Sequence, residues 1–156
     1  MHKIFLPLIK KIENEDASSI EVILRKIEEF NERDISTCLY VFEGIKKGEY
    51  EGFSAYVENK LIGFIFFSKN SLGKDVYELL WIVVDPDYQR FGIGSLLMEK
   101  FLEEMKKRGA RLVILHTSEH YLKAKKLYEK YNFKCEGKIK DFYSVGDSKE
   151  IWVLRF

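Results

Sequence analysis

The 156-residue sequence lacks several features that mark common protein classes. It has only two prolines, and it contains no Pro/Gly-rich linker, repeat or low-complexity segment, which favours a single domain over residues 1–156. No apolar stretch approaches the ~20 residues that a membrane-spanning helix needs. Residues 1–11 alternate charged and apolar types too quickly for a signal peptide. We therefore expect a cytoplasmic protein without a membrane partner.

An excess of charge of either sign is also missing. Lys and Arg total 26 and Asp and Glu total 25, so composition gives no reason to expect nucleic acid as a partner. The two cysteines, Cys38 and Cys135, are far apart and share no metal-ligand spacing. We expect free thiols in a reducing compartment and no metal site.

What the sequence does contain is an alternation of strand and helix patterns that is typical of an α+β domain with a mixed sheet. Strands are predicted over residues 4–12, 53–57, 61–67, 76–84, 112–115, 133–139 and 150–155. Helices are predicted over residues 18–30, 34–47, 92–108 and 121–131. Ser18 with Glu21 forms a predicted capping box for the first helix, and Asp34 is the predicted cap of the second. The unit over residues 76–115 is expected to be a right-handed parallel crossover.

The most informative segment joins the fourth strand to the third helix and reads WIVVDPDYQRFGIGS over residues 81–95. Gly92 and Gly94 lack Cβ atoms, so a diphosphate can approach the first N–H groups of the helix, where the helix dipole favours an anion. Arg90 adds a cation. A lone G-x-G is weak evidence, because packing of the helix on the strand also explains it. The P-loop lysine and the third glycine of a dinucleotide fingerprint are both missing.

Two motifs in this order resemble the GNAT superfamily of N-acetyltransferases. Gln89, Gly92 and Gly94 fill the coenzyme A motif Q-x-x-G-x-G, and residues 124–133 are similar to the later pattern A-x-x-L-Y-E-K-x-G-F. The likeness covers about residues 53–156. Asn132 replaces the usual glycine of the second motif. The resemblance implies one GNAT-type domain, with a twisted, mostly antiparallel mixed sheet of about seven strands and about four helices.

The resemblance also implies acetyl-coenzyme A as cosubstrate and direct attack by an amine in a ternary complex, without an acyl-enzyme. The acceptor is open at this point, since a protein amine and a small metabolite amine both suit the fold. A homodimer is compatible with the family, but no residue specifies one. Coenzyme contacts are expected from Ile82, Val83, Val84, Gln89, Arg90, Phe91, Gly92, Ile93, Gly94, Ser95 and Ala124.

Three groups are implied by the resemblance as participants in the chemistry. The main-chain N–H of Ile82 is expected to polarise the thioester carbonyl, and Tyr128 to protonate the coenzyme sulfur or donate a hydrogen bond to it. Glu78 precedes Gln89 by the interval of the general-base glutamate in the histone-type branch. Strand alternation predicts Glu78 on the same face as Leu80 and Ile82.

Each of these residues also has a structural interpretation. Ile82 and Tyr128 suit core positions, and Glu78 suits a solvated strand end. His116 and His120, near the end of the following strand, are reserve candidates for the base. A non-catalytic acyl-coenzyme A sensor on the same fold is the alternative function, because a sensor needs the glycine turn but neither Tyr128 nor Glu78.

Overall fold

A seven-stranded sheet with the order β1-β2-β3-β4-β5-β7-β6 runs through the molecule. The structure is a computed structural model that describes residues 6–13, 15 and 17–156. The strands are β1 (Leu8–Lys11), β2 (Glu51–Val57), β3 (Lys60–Lys69), β4 (Val76–Val84), β5 (Leu112–Ser118), β6 (Lys134–Ser144) and β7 (Asp147–Arg155). All neighbouring pairs are antiparallel except β4 and β5, which run parallel. The predicted mixed, mostly antiparallel sheet is therefore confirmed.

Helices cover the two faces of this sheet. They are α1 (Ala17–Arg25), α2 (Glu32–Lys46), α3 (Ile93–Lys107) and α4 (Leu122–Lys130), with a 3₁₀ turn at Pro86–Phe91. The first two helices pack on one face, and α3 and α4 pack on the other, so each face has its own apolar core. No helix in the described part of the chain has the length and apolar character needed to cross a lipid bilayer.

The long apolar run of β3 follows from this layering. Residues 61–67 of β3 are all buried, because α1 contacts one face of the strand and α3 contacts the other. A strand covered on both faces needs no polar alternation. The predicted hairpin before it is also present, with Glu58 and Asn59 at φ values of 50° and 65°.

Sequence patterns located the first helices but not their ends. The predicted Ser18–Glu21 capping box is wrong, because α1 begins at Ala17 and Ser18 lies inside its first turn. The predicted cap of α2 is also wrong. Asn31 caps this helix, its side chain accepting from the N–H of Asp34 at 2.9 Å, while the Asp34 carboxylate accepts from the N–H of Asn31 at 2.9 Å. Asp34 is thus the third helical residue of a reciprocal box.

The beginning and end of the first predicted elements differ as well. Residues 4–5 of the predicted first strand lie outside the described residues, and the described strand starts at Leu8. The first helix ends at Arg25, not near Phe30. Phe30 still packs on the core, from a connection of short turns that separates α1 from α2.

Candidate active site

A fork between β4 and β5 opens the sheet near its centre. The two strands pair from Val76 with Leu112 to Leu79 with Leu115, and there the pairing stops. β4 continues to Val84 beside β3, and β5 continues beside β7. Within the described part of the chain, the segment Leu80–Val84, here called the open half of β4, therefore has a strand neighbour on one side only. Val76–Leu79 is the paired half.

A β-bulge at Leu80 marks the boundary between the two halves. On β3, Phe66 pairs with Trp81 and Phe67 pairs with Leu79, so Leu80 is an extra residue on β4. The bulge interrupts the alternation of side chains. Leu79 and Ile82 pack on the α3 side of the sheet, whereas Leu80 and Trp81 pack on the α1–α2 side.

The bulge corrects one prediction about Glu78. Its strand neighbours Tyr77 and Leu79 both pack on the α3 side, so Glu78 lies on the α1–α2 side together with Leu80. Ile82 lies on the opposite face. The prediction that Glu78, Leu80 and Ile82 share one face is therefore wrong, because strict alternation does not hold across a bulge.

The main-chain groups of the open half can be assigned from the ladder with β3. The N–H of Asp85 donates to the carbonyl of Ile62 at 2.7 Å. Hydrogen-bonded and non-bonded pairs alternate in an antiparallel ladder, so Val83 bonds to β3 and the amides of Ile82 and Val84 face away from it. These amides face the side from which β5 has separated. The carbonyl of Val84 accepts there from the Gln89 side chain at 3.4 Å.

The 3₁₀ turn after β4 leads directly into the N-terminus of α3. Gly92 caps α3 at φ 71° and ψ 18°, a left-handed conformation that a glycine adopts without a Cβ clash, and no side chain caps the helix. A Cβ on Gly94 would lie 3.6 Å from Leu127 and 3.7 Å from Val84, which is ordinary contact. Packing alone therefore does not require glycine at position 94. The first N–H groups of α3 have no acceptor within the helix, so this corner can bind an anion.

The remaining predicted coenzyme residues divide into main-chain and side-chain candidates. Ile93 is 1% exposed and Val83 is 3% exposed, so only their backbone can reach a ligand. Arg90 and Phe91 are exposed on the turn. The Ser95 hydroxyl accepts from the Lys130 ammonium at 2.7 Å, which joins the end of α4 to the first turn of α3.

α4 completes the same corner. Ala124 is half-buried and packs on the α3-side core. Tyr128 is 6% exposed, with its ring 5.9 Å from Phe133 and 6.2 Å from Trp152 between centroids. In the part of the chain that the structure describes, its hydroxyl has no hydrogen-bond partner. Burial and the neighbouring Tyr143 raise the pKa of Tyr128, so the hydroxyl keeps its proton at neutral pH.

Asn132 follows α4 at φ 68°. The asparagine that replaces the glycine of the second motif thus adopts a left-handed conformation, which asparagine tolerates better than most residues with a side chain.

The candidate bases lie on neighbouring strands at the fork. Glu78 pairs with Ile114, and its carboxylate accepts from the Asn70 side chain at 2.8 Å. His116 lies two residues beyond Ile114 on the same face of the sheet. It follows Leu115, the last residue of β5 that pairs with β4. Burial, and secondarily the charge of Lys149, lower the pKa of His116, whereas Glu78 acts in the opposite direction. An unprotonated imidazole is therefore favoured at neutral pH.

His120 is placed differently from His116. Its Nε2 atom lies 2.7 Å from the carbonyl oxygen of Gly146, in the turn between β6 and β7. This contact holds the imidazole against the hairpin.

Aromatic side chains that sequence analysis did not connect with one another surround the α1–α2 side of the fork. Phe30 lies edge-on to Trp81, with ring centroids 5.6 Å apart, and 6.1 Å from Tyr121. Burial raises the pKa of Tyr121, and the carboxylates of Asp34 and Asp147 raise it further. These contacts bring the α1–α2 connection and the β6–β7 hairpin to one side of the open half. No local pattern in the sequence predicts them, because they depend on how distant segments pack.

Comparison with known proteins agrees with this arrangement. The family described as "Acetyltransferase (GNAT) family" matches residues 11–133. The [ribosomal protein bS18]-alanine N-acetyltransferase of Escherichia coli K12 is 36% identical over 76 residues, which are 49% of this chain and 51% of that protein. The match thus spans about half the length of this curated relative.

Solved structures show the same fold over nearly the whole chain. The crystal structure of the ribosomal-protein-S18-alanine N-acetyltransferase from Escherichia coli has a TM-score of 0.80 at 24% identity, covering 96% of this chain and 94% of that one. The PaiA N-acetyltransferase of Thermoplasma acidophilum, solved in complex with coenzyme A, has a TM-score of 0.75 at 21% identity. That alignment covers 97% of this chain and 99% of the other.

Proposed function

Because the chain belongs to the acetyltransferase (GNAT) family, we propose that it transfers the acetyl group of acetyl-coenzyme A to an amine. One observation carries the proposal: the open half of β4, the uncapped N-terminus of α3 and helix α4, which carries Tyr128, meet in one corner, where Gly94 lies close to Val84 and Leu127. A thioester bound there has a main-chain donor on one side and a protonated phenol on the other.

The coenzyme is held mainly by backbone in this proposal. The diphosphate binds the free N–H groups at the start of α3, where the helix dipole favours negative charge. Gly94 leaves space for its close approach, and the exposed side chain of Arg90 adds a cation. The pantetheine arm follows the open half of β4 and bonds the main chain of Val84, much as a further strand would.

The reaction needs three contributions from the protein. The amine nitrogen attacks the thioester carbon, and the N–H of Ile82 stabilises the negative charge that develops on the carbonyl oxygen. The C–S bond then breaks, and Tyr128 donates its proton to the leaving sulfur. The attacking nitrogen, positively charged once its bond to carbon forms, loses its second proton to solvent, and Tyr128 recovers a proton from solvent after coenzyme A leaves.

The proton of the attacking ammonium is removed by the Glu78–His116 pair. A primary amine is mostly protonated at neutral pH, since its pKa is about 8 at a chain N-terminus and about 10 on an alkyl chain. His116 is nearer than Glu78 to Ile82 along the sheet, because it follows the last β4–β5 pair, Leu79 with Leu115, whereas Glu78 precedes it. We assign proton acceptance to its imidazole, directly or through one water, and stabilisation of the resulting imidazolium to Glu78.

The acceptor is proposed to be the N-terminal amine of a protein. The Escherichia coli relative is named as an N-acetyltransferase of an alanine in a ribosomal protein, and because the alanine side chain has no nitrogen, such an acceptor is an α-amine. The aromatic rings of Phe30, Trp81 and Tyr121 give the α1–α2 side of the fork a wall on which a peptide can pack. Two unpaired cysteines, Cys38 and Cys135, suit the cytoplasm, where such an acceptor is made.

A thiol-release assay with acetyl-coenzyme A tests the proposal, using peptides with free N-termini, lysine-containing peptides with blocked N-termini, and small amines. The Tyr128→Phe variant should lower kcat by about 10²-fold while coenzyme A binding is kept, because only the acidic proton is lost. Tyr77→Phe is the matched control. Tyr77 is buried to 5% exposure, against 6% for Tyr128, but it lies on the paired half of β4.

The outcomes separate the enzyme from the sensor. Tight binding of coenzyme A without thiol release from any amine would favour the sensor. Equal rates for Tyr128→Phe and Tyr77→Phe would remove Tyr128 from the mechanism. Activity restricted to small amines would contradict the proposed acceptor and leave the acyl transfer itself intact.

A further inference from the structure

A buried carboxylate lies at the corner where β4 ends and the 3₁₀ turn begins. Asp85 is 1% exposed, and its main chain and side chain both organise this corner. Its N–H donates to Ile62 on β3 at 2.7 Å, and its carbonyl accepts from the N–H of Tyr88 at 2.8 Å. Its carboxylate accepts from the N–H of Asp87 at 2.9 Å. The position of Asp85 therefore determines where the turn from Gln89 to Gly94 begins.

One cation reaches this carboxylate in the described part of the chain. The ammonium of Lys26 lies 3.0 and 3.2 Å from the two carboxylate oxygens of Asp85, and 3.1 Å from the carboxylate of Asp87. The Lys26 side chain is 33% exposed, and that of Asp87 is 70% exposed. The hydrogen bond to Asp85 raises the pKa of Lys26, so the ammonium keeps its proton at neutral pH.

Lys26 itself is held in place by the connection between α1 and α2. Its N–H donates to Ile23 at 3.1 Å, and the N–H of Phe30 donates to Ile27 at 3.1 Å, so the connection consists of short hydrogen-bonded turns. At its other end, Phe30 packs edge-on against Trp81 in the open half of β4. The connection is thus fixed to the sheet at both ends.

From these contacts we infer that Lys26 is a positioning residue for the coenzyme-binding turn. It neutralises Asp85 and keeps the carboxylate buried, and it thereby holds the turn in the conformation that presents the N–H groups of α3. Without the ammonium, the carboxylate keeps the N–H of Asp87 as its one hydrogen-bond donor among the described residues, and a buried charge left in that state moves toward water. Such movement displaces the turn and directs negative charge toward the diphosphate. The inference rests on the proposed function, because it assumes that the turn binds the coenzyme.

A double-mutant cycle measured by calorimetry with coenzyme A tests the inference. Lys26→Met should weaken binding about tenfold, since a shift of the turn misplaces several backbone donors together. Lys26→Arg keeps the cation and should recover most of the affinity. Adding Asp85→Asn to Lys26→Met should also recover it, because the amide oxygen still accepts from Asp87 and no buried charge is left unpaired.

Arg25→Met is the matched control. Arg25 precedes Lys26 and pairs with the exposed carboxylate of Glu32 at 2.7 Å, so its loss should leave affinity unchanged. Steady-state kinetics add a second criterion. Lys26→Met should raise KM for acetyl-coenzyme A while kcat at saturation stays within about twofold, whereas general loss of folded protein lowers the apparent kcat alone.

Each result has a distinct meaning. Wild-type affinity in Lys26→Met overturns the inference, as does a folded double variant that binds as weakly as Lys26→Met. Should Lys26→Met not fold, Lys26→Gln replaces it in the affinity measurements. Its amide keeps a hydrogen-bond donor for Asp85 but removes the positive charge. Absence of coenzyme A binding by the wild-type protein would instead overturn the proposed function.

Discussion

The paired half and the open half of β4 have similar apolar sequences but different neighbours. Val76–Leu79 has β3 on one side and β5 on the other, so its main chain is used within the sheet. Leu80–Val84 has β3 alone, and the amides of Ile82 and Val84 face the fork. Nothing in the residue types separates the two halves, because both are read from the same run, VYELLWIVV.

The two halves therefore differ in the hydrogen bonding of their main chain. A sheet interior normally satisfies every N–H and C=O with a neighbouring strand. The separation of β5 after Leu115 leaves a short row of main-chain groups for a ligand. The paired half contributes in another way, since it keeps the open half rigid and carries Glu78 close to the fork.

The largest expected effect comes from removing one amide of the open half. Ile82→Pro deletes the N–H that faces the fork, but it removes no bond to β3, so this position resembles an edge strand where proline is tolerated. We expect a folded protein whose kcat falls by about 10²–10³-fold, the effect of losing an oxyanion donor. Thiol-release kinetics measure kcat, and circular dichroism shows whether the variant is folded.

Two further variants isolate the main-chain contribution. Ile82→Ala keeps the N–H and should keep most of kcat, although it loses packing on the α3-side core. Val83→Pro removes an amide that bonds to β3 and should unfold the protein at a lower temperature than Ile82→Pro. An active Ile82→Pro variant would show that this amide takes no part in the reaction.

The second prediction concerns the candidate bases on the two sides of the fork. His116→Gln should lower kcat/KM by about 10²-fold, as expected for loss of a general base. Glu78→Gln should have a smaller effect, about tenfold, because the carboxylate acts on the imidazole and not on the substrate. The opposite order of effects would transfer the role of base to Glu78.

The pH dependence separates the same two roles. A histidine base loses activity as the pH falls through its pKa, and the pKa of His116 lies below its ordinary value. Activity should therefore persist to a lower pH than an unperturbed imidazole allows. Glu78 raises the pKa of His116, so Glu78→Gln should move the acid limb of kcat/KM to still lower pH. An unchanged limb in His116→Gln would exclude the histidine.

Sequence alone predicted most of the fold and the glycine turn that precedes α3. Gly92 at the start of α3, the parallel crossover between β4 and β5, and the left-handed Asn132 all follow from local rules of turns and periodicity. The family resemblance supplied the roles proposed for Tyr128 and Ile82. These features are short-range in sequence or are carried by a motif.

The features that sequence missed are long-range. The bulge at Leu80 depends on the register between β3 and β4, which residue types do not specify, and it moved Ile82 to the face opposite Glu78. The pairing of Lys26 with Asp85 joins residues 59 positions apart. Likewise, the contact of Phe30 with Trp81 becomes visible only when α1 ends at Arg25 and the connection folds over the sheet.

The smallest expected effect is a change in pH dependence produced from outside the fork. Lys149, on β7, lowers the pKa of His116, and its ammonium lies 4.2 Å from the ring centroid of Phe142. Lys149→Met removes this cation, so the pKa of His116 rises and the acid limb of kcat/KM should move to higher pH.

Lys140→Met provides the control on the neighbouring strand β6, because Lys140 is not among the groups that shift the pKa of His116. The difference between Lys149→Met and wild type should shrink as ionic strength rises, since exposed charges are screened within about 10 Å at 0.1 M salt. If the acid limb of kcat/KM moves in Glu78→Gln but not in Lys149→Met, then Glu78, on the paired half of β4, shifts the pKa of His116 and Lys149 does not. A limb that moves downward in Lys149→Met would mean that the titrating group is not His116, because removing a nearby cation raises the pKa of an imidazole.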